Sequence, residues 1–200
     1  MQAQARRRSA PLLLAAAVIA ALATLSPAEV AQAQRGSVDI GTPHTGSRPF
    51  QLDIHAGFTW WGLGFASGAR FGIPILNNGF VPSINNAVYI NFGLDFYWTR
   101  WRCRAVPGRG NCDWDYGAGL GIPVTLHWEF YFNQNWSAFV ELGFQVFFHP
   151  RFWNDGFFDA DEGGYWFVGA VGGSFHINEN VLLTLRVGTP YIAFGVTFQF

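Results

Sequence analysis

Residues 88–99 read VYINFGLDFYWT. Val88, Ile90, Phe92, Leu94, Phe96 and Trp98 alternate with Tyr89, Asn91, Gly93, Asp95, Tyr97 and Thr99. A period of two with one continuous apolar face is a strand whose two sides meet different surroundings. The pattern recurs on both sides. Leu120, Ile122, Val124, Leu126, Trp128, Phe130 and Phe132 alternate with small or polar residues over 116–132, and Ile192, Phe194, Val196 and Phe198 do so over 191–200. Eight such strands are expected, at 50–60, 65–75, 87–101, 116–132, 136–149, 164–177, 181–187 and 191–200.

Composition narrows what an eight-stranded chain of 200 residues is. Charged residues make up 12%, about half the usual share of about 25% in soluble domains. Aromatics make up 18%, and there are 24 glycines. The strand faces away from the apolar side carry mostly Gly, Ala, Thr, Asn and Tyr with few charges. A soluble barrel with an apolar interior needs a charged exterior, and these faces cannot supply one. Small side chains do suit the filled interior of an eight-stranded barrel. Aromatics near the strand ends (Trp60, Trp98 and Tyr191 at one end; Trp128, Phe132, Trp136, Phe198 and Phe200 at the other) read as two interfacial girdles. The fold class expected is all-β: an eight-stranded antiparallel up-and-down transmembrane β-barrel. A net charge of −1 carries no nucleic-acid footprint.

The N-terminus reads as a signal peptide over residues 1–33. Arg6, Arg7 and Arg8 precede the apolar run Leu12–Leu25, and Ala31-Gln32-Ala33 supplies the small-x-small cleavage pattern. Residues 34–49, rich in Gly, Ser, Thr and Pro, read as a periplasmic leader, and 50–200 as the barrel. Export implies an oxidising compartment, where the two cysteines, Cys103 and Cys112, are expected to form a disulfide across a loop containing Pro107, Gly108 and Gly110.

With the N-terminus periplasmic, the turns at 76–86, 133–135 and 178–180 fall on the periplasmic side. The connections 61–64, 102–115, 150–163 and 188–190 are external. Short periplasmic turns and longer external loops are the asymmetry of outer-membrane barrels. The eleven-residue first turn, with Pro82, is the exception, and nothing in its sequence accounts for it.

On these features the chain resembles the small eight-stranded outer-membrane barrels of the OmpA/OmpX type over roughly residues 50–200. The terminal Phe200 of an amphipathic strand resembles their C-terminal assembly signal. The resemblance implies insertion into the outer membrane by the barrel-assembly machinery. Full-length OmpA-like proteins carry a peptidoglycan-binding domain after the barrel; none is expected here, so wall anchoring does not carry over.

A sparse polar set is expected in the lumen: Asp53, His55, Arg70, Asp95, His127, Glu129, Glu141, His149 and Arg186. The turn after Phe132 sets His127 opposite Glu141. The short first loop sets His55 opposite Arg70, with Asp53 diagonal. Arg186 falls between Gly172 and Ala193. Buried charges need partners, so a salt-bridged plug is favoured over a proton or ion path.

No catalytic residue or cofactor is expected. A lipid A-modifying enzyme needs a nucleophile and base on the lipid side of the outer leaflet. Ser174 and His176 fall inside and near the periplasmic end, and Ser67 has no histidine beside it. Arg100, Arg102, Arg104 and Arg109 are candidates for gripping lipopolysaccharide phosphates, with balance by Asp113 and Asp115 as the competing use. The loop at 149–164 mixes Phe152, Trp153, Phe157 and Phe158 with Asp155, Asp159, Asp161 and Glu162, but its spacing matches no EF-hand, and no metal is expected. The expected role is structural or surface-interacting through the external loops of a monomer. Its partners are outer-membrane lipid and lipopolysaccharide, with no nucleic acid. The alternatives are the lipid A-modifying enzyme and a narrow transport protein for small hydrophobic compounds.

Overall fold

The computed structural model describes residues 38–60, 64–105, 112–148 and 164–200. The signal-peptide reading, Arg109, His149 and the loop aromatics and acids from 150 to 163 lie outside them.

Eight strands follow one another: β1 (Gln51–Thr59), β2 (Gly64–Leu76), β3 (Asn86–Ala105), β4 (Cys112–Tyr131), β5 (Trp136–Phe148), β6 (Gly164–His176), β7 (Val181–Thr189) and β8 (Tyr191–Gln199). Each pairs antiparallel with the next, and β1 closes on β8 from Gln51↔Gln199 to Thr59↔Tyr191. Closure leaves no unpaired edge within the barrel wall. The alternation read from the sequence sorts the wall. Phe58, Phe92, Leu142, Phe144 and Phe194 stand exposed on the outside, while Asp53, Arg70, Asp95, Glu141 and Arg186 are buried within.

The strands differ in reach. β1, β7 and β8 have nine residues each, whereas β3 and β4 have twenty. The last β2–β3 pair is Phe65↔Trp98, and the last β4–β5 pair is Leu120↔Phe148. Beyond those pairs β3 and β4 continue together to Ala105↔Cys112, as a two-stranded ribbon above the rest of the wall. The expected loop 102–115 is therefore corrected: most of it is strand, because the two segments pair with each other. Likewise β7 runs on to Thr189, and Pro190 alone joins it to β8.

The end of the barrel carrying the turns is closed by two segments that show no periodic signal in sequence. In the first turn, the buried Asn86 amide donates to the carbonyls of Asn78, Val81 and Ile84, and its Oδ1 accepts from the Trp128 indole. Phe80 packs edge-on against Trp128. A Cβ on Gly79 would lie 1.7 Å from Asn86 Oδ1, and its φ of +50° suits glycine. The length of this turn is what wraps that one amide. Val88, at an outward position beside this turn, is fully buried.

The N-terminal segment docks on that turn. His44 N–H donates to Asn78 Oδ1, Arg48 N–H to Asn77 Oδ1 and Asn85 N–H to the Ile40 carbonyl. Asp39 bridges to Asn133, and Val38 packs on Ala87, Tyr89 and Tyr131. The Arg48 guanidinium donates to Asn85 Oδ1 and sits 4.0 Å from the Tyr131 ring centroid. Burial, then the nearby Arg48 charge, hold the His44 imidazole below its ordinary value.

Candidate functional site

The lumen is the site that the strands enclose, and it is filled by side chains. At its centre Glu141 meets residues of four other strands, Asn91 Nδ2 on β3 donating to it at 3.4 Å. Arg70 Nη1 donates to it at 3.0 Å, and Arg186 grips it through Nε at 2.9 Å and Nη2 at 3.1 Å. His127 Nδ1 lies 2.9 Å away. Arg186 also donates to Asp53 at 3.2 Å and Arg70 to Asp95 at 3.1 Å. His55 lies between two carboxylates, with Nδ1 2.7 Å from Asp53 and Nε2 3.1 Å from Asp95. A ring that donates from both nitrogens is an imidazolium. With Glu129 counted, four carboxylates then meet two guanidiniums and two imidazoles, and the cluster sums to zero when both imidazoles are charged. Such matching is what makes buried charge tolerable.

Registers decide these meetings. His127 stands opposite Glu141, and Arg186 stands between Gly172 and Ala193. His55 is not opposite Arg70. Asp53 takes that place, and His55 faces Gly68, which in turn faces Asp95. The shift of two arises because β1 ends at Thr59, whose Oγ1 accepts from Gly64 N–H and closes the loop one pair earlier. Gly68 is needed where it stands: a Cβ there would lie 2.4 Å from Asp95 Oδ1 and 3.0 Å from His55 Nε2.

Tyr191 is a second correction. It is buried in the lumen and not part of an outer girdle. Its hydroxyl accepts from Arg70 Nη2 at 2.6 Å, donates to Asp95 at 2.9 Å and lies 2.8 Å from His55 Nε2. The period of β8 already assigns it inward, opposite Thr59, and that signal outranks the preference of aromatics for strand ends. Other neutral partners also follow from parity. Thr184 and Thr197 donate to Asp53, and Tyr97 donates to Gln145.

Towards the turn end a smaller cluster surrounds Glu129. It accepts from Gln51 at 3.2 Å, Tyr131 at 2.9 Å and Ser137 at 2.7 Å. Ser137 Oγ is also 3.0 Å from His176 Nε2. A serine that donates its proton to a carboxylate is not activated as a nucleophile, so this pair lacks the arrangement for covalent catalysis. Ser174 is buried inside, opposite Ser137. Ser67 lies on the outer face between Ala56 and Phe96, neither of them a base.

The remaining sequence candidates lie on the ribbon or at the chain end. By backbone register Arg100 stands opposite Tyr116, Arg102 opposite Asp115, Arg104 opposite Asp113 and Cys103 opposite Trp114. Cys112 pairs with Ala105. The side chains there lie outside the described residues, as does Arg109. Phe200 follows β8 directly and is exposed.

No family model matches the chain, and no curated protein sequence does. Among solved structures it is similar to the backbone structure of the outer membrane protein Ail of Yersinia pestis in a phospholipid bilayer nanodisc, at 16% identity and a TM-score of 0.42, covering 77% of this chain and 100% of that one. The pairing of the chain's own strands establishes its architecture: a closed eight-stranded antiparallel up-and-down β-barrel, the fold that the OmpA/OmpX-type resemblance implies.

Proposed function

We propose that the chain is an outer-membrane barrel protein that works through the surface at its loop end and carries nothing through its lumen. The observation that supports this is an inverted partition of polarity. The outward positions of the wall, from Ile54 and Phe58 through Phe92, Leu126, Leu142 and Phe167 to Leu185 and Phe194, are apolar and exposed, while the charges are buried inside. An exposed apolar band of this extent is stable against lipid and insoluble in water. Nine-residue strands match the about 9–11 residues that cross a hydrocarbon core. The lumen is occupied by the Glu141 cluster and the N-terminal segment docks at the turn end, which leaves the loop end for outside contacts.

Refolding of the mature chain into detergent or lipid tests the reading. Heat-modifiable gel migration, strand-dominated circular dichroism and no single-channel conductance in a planar bilayer are the expected results. Solubility in plain buffer without a heat shift overturns the membrane placement, and steady ion conductance overturns the closed lumen.

A further inference from the structure

Between the Glu141 and Glu129 clusters the hydrogen bonding is interrupted. His127 Nε2 and Glu129 Oε2 are 3.7 Å apart, too far for a direct bond. His127 Nε2 and Asn91 Oδ1 are both buried without a protein hydrogen-bond partner among the described residues. Both residues are about nineteen-twentieths buried, and both line one cavity of about 10 Å³, whose wall also includes Glu129, Ser174, Thr184 and Arg186. A cavity of that size holds about one water molecule, and a water is stable there when two to four polar groups converge on it.

We propose that this cavity is a binding site for a single structural water. The water accepts from His127 Nε2–H and donates to Asn91 Oδ1 and to Glu129. The chemistry selects water over the alternatives. A metal cation would face the Arg186 guanidinium, and no group of three metal-ligating side chains converges among the described residues. An anion would add to four carboxylates. An apolar molecule would leave His127 and Asn91 unpaired at a buried site. With the water in place the two clusters form one hydrogen-bonded column from Tyr97 near the loop end to Tyr131 near the turn end. The column does not serve as a proton path, because Glu141 at its middle is clamped by two guanidiniums.

The test is NMR of the refolded mature chain in detergent micelles, reading the water-to-proton Overhauser effect at the His127 ring. A long-lived water cross-peak is expected in the unaltered protein, and its absence overturns the site. Ser174→Leu, which fills the cavity from the wall without removing either unpaired group, is expected to abolish the peak. A peak that persists in a Ser174→Leu barrel with normal heat-modifiable migration also overturns it. Asn91→Leu, which keeps the side-chain volume and removes the acceptor together with the long 3.4 Å bond from Nδ2 to Glu141, is the second variant. It is expected to lose the same peak and serves where Ser174→Leu does not refold.

Discussion

The centre of the lumen and its turn end solve the same problem with different chemistry. At the centre, Glu141, Asp53 and Asp95 are matched by Arg70 and Arg186, cation against anion, with His55 and Tyr191 filling the remaining positions. At the turn end Glu129 has no guanidinium bonded to it among the described residues. Gln51, Tyr131 and Ser137 donate instead, and Arg48, a cation of the N-terminal segment, lies over the Tyr131 ring. The difference follows from reach. The centre is far from water at either mouth, so charge there has to be compensated by charge. At the turn end the nearest cation is the His127 imidazole, 3.7 Å from Glu129, and neutral donors make the direct bonds.

The largest effect is expected from Glu141→Gln. It removes the anion shared by Arg70, Arg186 and His127 and leaves two buried guanidiniums short of partners. A loss of about 3–5 kcal/mol is expected, as for breaking other buried ion pairs from one side. A shift of the denaturant midpoint, followed by the heat-modifiable fraction in micelles, measures it. A loss no larger than that of the next variant would mean that the centre is not held by charge matching.

Glu129→Gln tests the other region. Its three donors are neutral, and a glutamine keeps one acceptor oxygen, so a cost of about 1–3 kcal/mol is expected in the same assay. The smallest effect is expected from Arg48→Ala. Loss of the stacking on Tyr131 and of the bonds to Asn77 and Asn85 costs about 0.5–2 kcal/mol. Limited proteolysis should then cut within residues 38–48 before the barrel unfolds. Equal protection in both proteins would mean that Arg48 does not hold the segment.

Much of the wall is readable from period two alone. The alternation in 88–99 and 116–132 assigns each side chain a face, and faces are a local property of the extended backbone. Where sequence and structure part, two local signals conflict or a distant contact intervenes. Residue type places Tyr191 in a girdle against its own parity. The His55 register differs by two because the hairpin closes on a side-chain bond, Thr59 Oγ1 accepting from Gly64 N–H, that competes with the apolar alternation running through Trp60. The long first turn shows no periodicity in sequence because it is organised by one side chain, Asn86, which bonds three turn carbonyls and is held from the wall by Trp128.

Local chemistry along the chain dictates that alternate side chains face opposite surroundings, that eight strands alternate with turns, and that the charged residues of the barrel wall share the inner face. Each of these depends on near neighbours in the chain. Which inner residues meet is settled only when the barrel closes. Arg70 on β2 reaches Glu141 on β5 and Tyr191 on β8 across the lumen, and closing β1 onto β8 sets that stagger. Contacts across a closed barrel depend on the register of every pair around it, and no single strand carries that information.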